Sequence, residues 1–253
     1  MISILTGSQV ADLEKSGSIL ASAIKKVEEA VCIGVSTKEL DKIAETEIRQ
    51  AGAVPAFKNY IVEGSGAFPA SLCVSVNHHV VHGIPGEYQL KDGDIVSLDL
   101  GAGYNGIFSD MAVTLPVGRI SQKAQKLINV TKECLEIGIS EAHSGNRIGD
   151  IGHAIQNHAE KNGFGVIRDL VGHGVGLKPH MEPKVPNFGR KNTGEEITNG
   201  LTIAIEPMIT AGDYGVKLEK DNWTISTKDL SLSAHFEHTI IIENGEARIV
   251  TIP

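Results

Sequence analysis

The amino-acid sequence predicts an α+β fold in which one helix–helix–sheet unit occurs twice around a central antiparallel sheet. Three observations predict it: a pair of amphipathic helices, a run of β-like segments behind them, and the return of that order in the second half. In the first half, Val10, Leu13, Leu20, Ile24, Val27 and Val31 recur at near-helical spacing, with Ser8 as the expected N-cap. Ser36 and Glu39 form an S-x-x-E capping box for a second helix. Leu40, Ile43, Ala44 and Ile48 line its buried face, and Gly52 is its expected stop. Residues 71–76 then alternate like a strand, and 78–86 form a loop punctuated by Gly and Pro. Residues 95–100 and 107–115 are two more strands. Asn105-Gly106 between them signals a tight hairpin, because both residues accept positive φ.

The second half repeats the pattern. Ser121 caps a long helix with Leu127, Val130, Cys134 and Leu135 on its core face, and a shorter helix carries Ile148, Ile151, Ala154, Ile155 and Ala159 up to Gly163. Gly34 and Gly145, Leu40 and Ile151, Ala44 and Ile155, and Gly52 and Gly163 are all separated by the same 111 positions. β-like segments return at 165–171, 201–205, 235–242 and 247–252. A single pseudo-symmetric domain over residues 1–253 is the expected result.

Composition narrows the function. The net charge of −8, from 23 Lys+Arg against 31 Asp+Glu, repels a polyanion, and no Lys/Arg cluster offsets it locally. Nucleic acid is therefore not an expected partner. Cys32, Cys73 and Cys134 are far apart and form no C-x-x-C pair, which fits a reducing compartment. No apolar run approaches a membrane span, and the N-terminus lacks the basic and apolar regions of a signal peptide. The expected setting is the cytoplasm, with no membrane contact.

The chemistry lies in acids placed where hydrophobes belong. Asp99 stands inside the apolar strand at 95–100 and Asp110 inside its hairpin partner. A two-residue turn at Asn105-Gly106 puts Asp99 opposite Ala112, so both carboxylates project from one face as diagonal neighbours. Glu206 ends the apolar run 201–205, and Glu237 opens another at 238–242. Four buried carboxylates repel one another unless protons or cations lie between them. His173, set in Gly172-His-Gly174, supplies a nitrogen ligand with unobstructed approach. Such a set suits two divalent first-row cations about 3.5–4 Å apart, Co, Mn, Fe or Zn. Calcium is a poor fit, because no D-x-D-x-D-G loop is present and imidazole is a poor ligand for so hard a cation. No G-x-S-x-G elbow, H-E-x-x-H helix or Walker A loop competes.

In their order along the chain, these five residues resemble the ligand set of the methionine aminopeptidase and prolidase superfamily. The resemblance is carried by His82-Gly-Ile-Pro85, Gly93-Asp-Ile-Val-Ser-Leu-Asp99, Gly172-His-Gly-Val-Gly176, Ile205-Glu-Pro-Met208 and Ser231-Leu-Ser-Ala-His-Phe-Glu-His-Thr239. The first and last strings are most similar to type I methionine aminopeptidases. The resemblance implies a pita-bread fold with a curved antiparallel sheet, and removal of N-terminal methionine ahead of a small second residue. It further implies that Asp99 and Asp110 hold one metal, that Asp110 and Glu237 bridge to a second, and that His173 and Glu206 complete the second site. Glu206 would act as general base, while His82 and His180 contact the substrate. Phe57, Tyr60, Phe68, Cys73 and Trp223 would line the methionine pocket. Asn77, the His79 carbonyl and Ser233 resemble a monovalent-cation site.

Two departures stand out: an insertion at 61–67 between Tyr60 and Phe68, and Pro179 where many relatives carry an aromatic residue before His180. No zinc-finger or proline-rich segment precedes the first helix, which suggests a bacterial-like form. The implied partners are nascent polypeptide N-termini at the ribosome, met by a monomer. Xaa-Pro peptidase activity and a non-catalytic peptide-binding role are the alternatives. Intact ligands argue against the second of these. Because Ile2 is large and β-branched, Met1 is expected to be retained.

Overall fold

Both shorter helices begin on an N3 carboxylate that accepts from the cap N–H and end at a glycine. In α2 (Thr37–Gln50), Ser36 Oγ accepts from the Glu39 N–H at 3.2 Å, and Glu39 Oε2 accepts from the Ser36 N–H at 2.9 Å. In α4 (Ile148–Lys161), Asp150 Oδ2 accepts from the Arg147 N–H at 2.8 Å. Each is 14 residues long and stops at a glycine with positive φ, 79° at Gly52 and 85° at Gly163. Each is preceded by another, 92° at Gly34 and 97° at Gly145. The 111-residue recurrence is thus a recurrence of backbone conformation as well as of apolar positions.

The computed structural model describes residues 4–252. Met1 and Ile2, on which the N-terminal expectation rests, lie outside them. The helices are α1 (Gly7–Ala30), α2, α3 (Gln122–Glu141) and α4. The first-half strands are β1 (Val54–Pro55), β2 (Ile61–Val62), β3 (Gly66–Ala67), β4 (Leu72–Val76), β5 (His79–Val81), β6 (Ile95–Tyr104) and β7 (Ile107–Pro116). The second half holds β8 (Gly165–Val166), β9 (Gly172–Gly174), β10 (Met181–Val185), β11 (Thr202–Ile205), β12 (Met208–Thr210) and β13 (Val216–Leu218). It closes with β14 (Ile225–Thr227), β15 (Ser233–His235), β16 (Glu237–Glu243) and β17 (Glu246–Ile249).

Nine strands form one antiparallel sheet with the path β1-β6-β7-β16-β11-β9-β10; β4 pairs with β6 and β17 with β16. Each helix pair covers its own apolar core. Leu20, Ile24, Leu40, Ile48, Leu72 and Leu98 belong to the first, and Leu127, Cys134, Ile151, Ile155, Ile203 and Ile240 to the second. The β6–β7 hairpin has the expected register, Asp99 opposite Ala112, with φ of 50° at Asn105 and 80° at Gly106. Among the described residues no helix is long and apolar enough to cross a membrane.

Three local expectations need correction. The α1 cap is Thr6, whose N–H donates to Gln9 Oε1 at 2.8 Å, so Ser8 lies within the helix. Of residues 165–171 only β8 is strand: Arg168 and Asp169 form a bend, with the Arg168 guanidinium 4.2 Å from the Tyr214 ring centre. The final strand ends at Ile249 instead of 252. The 61–67 insertion folds on itself, with Ile61 paired to Ala67 and Val62 to Gly66.

Candidate active site

Strand register assembles the acids. Cys73, Asp99, Ala112 and Glu237 are successive Cα partners across β4, β6, β7 and β16. Side chains alternate along a strand, so Asp110 shares the face of Ala112 and stands beside this row. In the neighbouring row His173 pairs with Ala204, and Ala204 with Thr239. Thr239 Oγ1 accepts from the Asp110 N–H and donates to the Asp110 carbonyl, both at 2.8 Å. Glu206 follows Ala204 by two residues and returns to the same side.

The twelve side chains expected to hold the metals or contact the substrate line one cavity of about 260 Å³. At its floor His173 Nε2 is 3.5 Å from Glu206 Oε1, 3.9 Å from Glu237 Oε1 and 4.0 Å from Asp110 Oδ2. The wall contains the buried cluster Phe57, Phe68, Cys73 and Trp223, with Phe68 edge-on to Trp223 at 5.1 Å between ring centres. His82 faces Trp223 at 6.3 Å and adopts φ 57°, a left-handed conformation that a histidine takes only when its surroundings impose it. His180 is at the exposed mouth, its ring centre 4.4 Å from that of His173 and 5.2 Å from that of Tyr60. Tyr60 thus packs on the histidine that Pro179 leaves without an aromatic neighbour in sequence.

The electrostatics call for positive charge. Burial raises the Asp99 pKa to about 7. Burial first, and then neighbouring carboxylates, push Asp110, Glu206 and Glu237 well above their ordinary range. Burial lowers His173 to about 3 and His82 to about 4, so both imidazoles are neutral near pH 7. Asp99 Oδ1 and Glu237 Oε1 are buried without any hydrogen-bond partner. An ionised carboxylate oxygen only accepts, so such orphans are matched by a cation. His173 Nδ1 lies 3.0 Å from the Gly174 carbonyl, an acceptor, which puts the ring proton on Nδ1 and leaves the Nε2 lone pair facing the acids. Two overlapping sets, His173 with Glu206 and Glu237, and Asp99 with Asp110 and Glu237, bring their ligand atoms within 4.8 Å of one another. The donor set fits two adjacent divalent cations sharing Glu237.

Asn77 and Ser233 are brought together elsewhere: the Ser233 N–H donates to the Asn77 carbonyl at 2.9 Å, and Asn77 Oδ1 accepts from the Ile95 N–H at 3.0 Å. Reading the sequence missed Val62, Val81, Leu170, Val171 and Met208 in the cavity wall. It also missed His235, whose Nε2 is 3.7 Å from Glu206 and 3.8 Å from Glu237. Val81 and Met208 could have been found, since Val81 directly precedes His82 and Met208 closes the Ile205-Glu-Pro-Met208 motif. His235 carried no local signal that set it apart within the 235–242 segment.

A curved antiparallel sheet with carboxylates and an imidazole converging on one cavity defines a metal-dependent hydrolytic class. The model of metallopeptidase family M24 matches residues 11–244, and the chain belongs to that family, among its methionine aminopeptidases. It is 47% identical to a methionine aminopeptidase of Clostridium perfringens over 252 residues, covering 100% of this chain and 99% of that one. It is 45% identical to methionine aminopeptidase 1 of Bacillus subtilis, covering 99% of both. The crystal structure of methionine aminopeptidase from Thermotoga maritima superposes with a TM-score of 0.97 at 41% identity over 100% of both chains. Prolidase from Pyrococcus furiosus shares the fold, with a TM-score of 0.78 at 22% identity over 99% of this chain and 65% of that one.

Proposed function

We propose that the chain removes N-terminal methionine from polypeptides by hydrolysing the first peptide bond, with a preference for a small second residue. The observation that carries this reading is the meeting of four buried carboxylates and a neutral imidazole at the floor of an apolar, sulfur-lined cavity.

Asp99, Asp110 and Glu237 would hold one divalent cation, and His173, Glu206, Glu237 and Asp110 the other; Co, Mn, Fe and Zn suit this donor set. When bound, the pair supplies Lewis acidity and a water acidified toward neutrality. Glu206 would accept the proton of the attacking water at a carboxylate oxygen and return it to the leaving amine. Asp99 holds the substrate's free α-amino group, which restricts cleavage to the first residue. His180, at the mouth, donates to the oxygen of the scissile carbonyl, and His82 hydrogen-bonds at the scissile amide. Phe57, Tyr60, Phe68, Cys73 and Trp223 receive the thioether chain, a soft and polarisable match. A monovalent cation at Asn77, the His79 carbonyl and Ser233 would brace β5 against β15. The reading places the enzyme in the cytoplasm as a monomer acting on nascent chains near the ribosome.

The test incubates metal-free protein with single divalent cations and with Met-Ala-Ser, Leu-Ala-Ser or Ala-Pro. Met-Ala-Ser should be cleaved and the others much more slowly. Equal rates on Leu-Ala-Ser or Ala-Pro would remove the methionine assignment.

A further inference from the structure

His235 is 1% exposed, and among the described residues neither of its ring nitrogens has a hydrogen-bond partner. A polar ring buried to that depth costs free energy unless something answers it. Its backbone leaves it little freedom. The His235 N–H donates to Thr114 Oγ1 at 2.8 Å, and that hydroxyl donates back to the His235 carbonyl at 2.7 Å. On its other edge β15 pairs His235 with Met208, two residues beyond Glu206.

The ring points at the two glutamates. Nε2 lies 3.7 Å from Glu206 Oε2 and 3.8 Å from Glu237 Oε2, while the Oε1 atoms of the same residues face His173 at 3.5 and 3.9 Å. Each carboxylate therefore turns one oxygen toward each imidazole. The two rings are not equivalent. His173 directs its Nδ1 at a carbonyl and presents a lone pair, as a ligand must. His235 has no acceptor at Nδ1, and a lone pair on Nε2 would be repelled by two carboxylate oxygens. Its proton consequently belongs on Nε2, as a donor.

We propose that His235 is a positioning residue for Glu206, its Nε2–H holding Oε2 so that Oε1 stays turned toward the His173 side of the site. This rests on the metallopeptidase reading above. Glu206 is the recipient for two reasons. Glu237, read as bridging, has both oxygens committed, and its side chain is only 3% exposed. Glu206 sits beyond the end of β11 with a side chain 12% exposed, so the ladder does not fix it. The present separations exceed a hydrogen bond by about half an ångström, a gap of the kind that closes when a catalytic site is loaded.

The experiment compares His235→Leu, which keeps bulk and removes the donor, with His235→Gln, whose amide offers an N–H at similar reach. Manganese affinity is measured by competition with a fluorescent chelator, alongside kcat and KM for Met-Ala-Ser. His235→Leu should weaken manganese binding and lower kcat by about 10–100-fold with KM little changed, as for loss of a group that orients a ligand. His235→Gln should recover most of both. His235→Met is a second donor-free variant should the leucine protein not fold. Wild-type manganese affinity in the donor-free protein, or a glutamine variant as impaired as the leucine one, overturns the proposal. If wild-type protein binds manganese but releases no methionine, the aminopeptidase reading fails, and the affinity comparison still decides the role of His235.

Discussion

Replacing Glu206 by glutamine separates proton transfer from metal binding. Glutamine keeps the length of the side chain and one oxygen, so contact with the His173 side, 3.5 Å away in the native protein, is retained. What disappears is the proton acceptor and one of four buried negative charges. General-base catalysis contributes about 10²–10⁴-fold, roughly 2.7–5.5 kcal/mol of barrier. The expected loss of kcat is therefore at least ~10²-fold, with at least one cation still bound. Glu237→Ala should act differently. That carboxylate joins the two ligand sets at the floor of the cavity, so its removal should lower metal content itself. Elemental analysis of the purified variants and Met-Ala-Ser turnover measure both effects. Near-normal turnover by metal-loaded Glu206→Gln would remove Glu206 from proton transfer. Unchanged two-metal content in Glu237→Ala would refute a shared site.

Trp223→Ala opens the wall that Phe68 packs on and should raise KM for Met-Ala-Ser about tenfold, the equivalent of about 1.4 kcal/mol of lost apolar contact; an unchanged KM would exclude Trp223 from the methionine pocket. Thr239→Val deletes two hydrogen bonds to the Asp110 main chain. It should cost about 1–3 kcal/mol, or roughly 3–10 °C in Tm by calorimetry, and reduce metal content. Gly174→Ala drives a Cβ into the Glu182 carbonyl; at about 1–3 kcal/mol for overpacking it should lower Tm and weaken metal binding through His173. Protein made without a tag should keep Met1, because Ile2 is β-branched and large, and an intact mass short of one methionine would contradict the size rule.

What the sequence revealed and what it hid have separate physical origins. A two-residue turn fixes register through backbone geometry alone, so Asn105-Gly106 was enough to place Asp99 opposite Ala112. The acids were legible because carboxylates inside apolar strands are costly and therefore conspicuous. The capping box at Ser36 was equally local. Ser8 misled because Thr6, Ser8 and Gln9 compete within a single turn, and Gln9 reaches back to Thr6. The strand expected at 165–171 failed because Arg168 leaves the ladder to stack on Tyr214, a contact 46 positions away that no local pattern announces. His235 was hidden for a related reason. Nothing local in the 235–242 segment marks it, and the pairing of β15 with β12 brings it to Glu206.

The division of the proposed ligands between the halves would give the pseudo-symmetry a functional consequence. Asp99 and Asp110 come from the first helix–helix–sheet unit, and His173, Glu206 and Glu237 from the second, each unit with its own apolar core. Within the main sheet the halves meet at the β7–β16 ladder, which pairs Ala112 with Glu237 and Met111 with His238, while β5 of the first half also pairs with β14 of the second. So short a ladder is weak by itself. It is flanked by two threonine clamps, Thr239 on the Asp110 main chain and Thr114 on that of His235. Both threonines bond backbone across the seam within a few residues of the acids. The four carboxylates repel one another at the same place, so the seam carries both the strain and the fastening. Cations held by the proposed ligands would need both halves docked, and by mass action they would stabilise the docked state. On the proposed ligand set, docking of the two halves and binding of the cations would be linked equilibria.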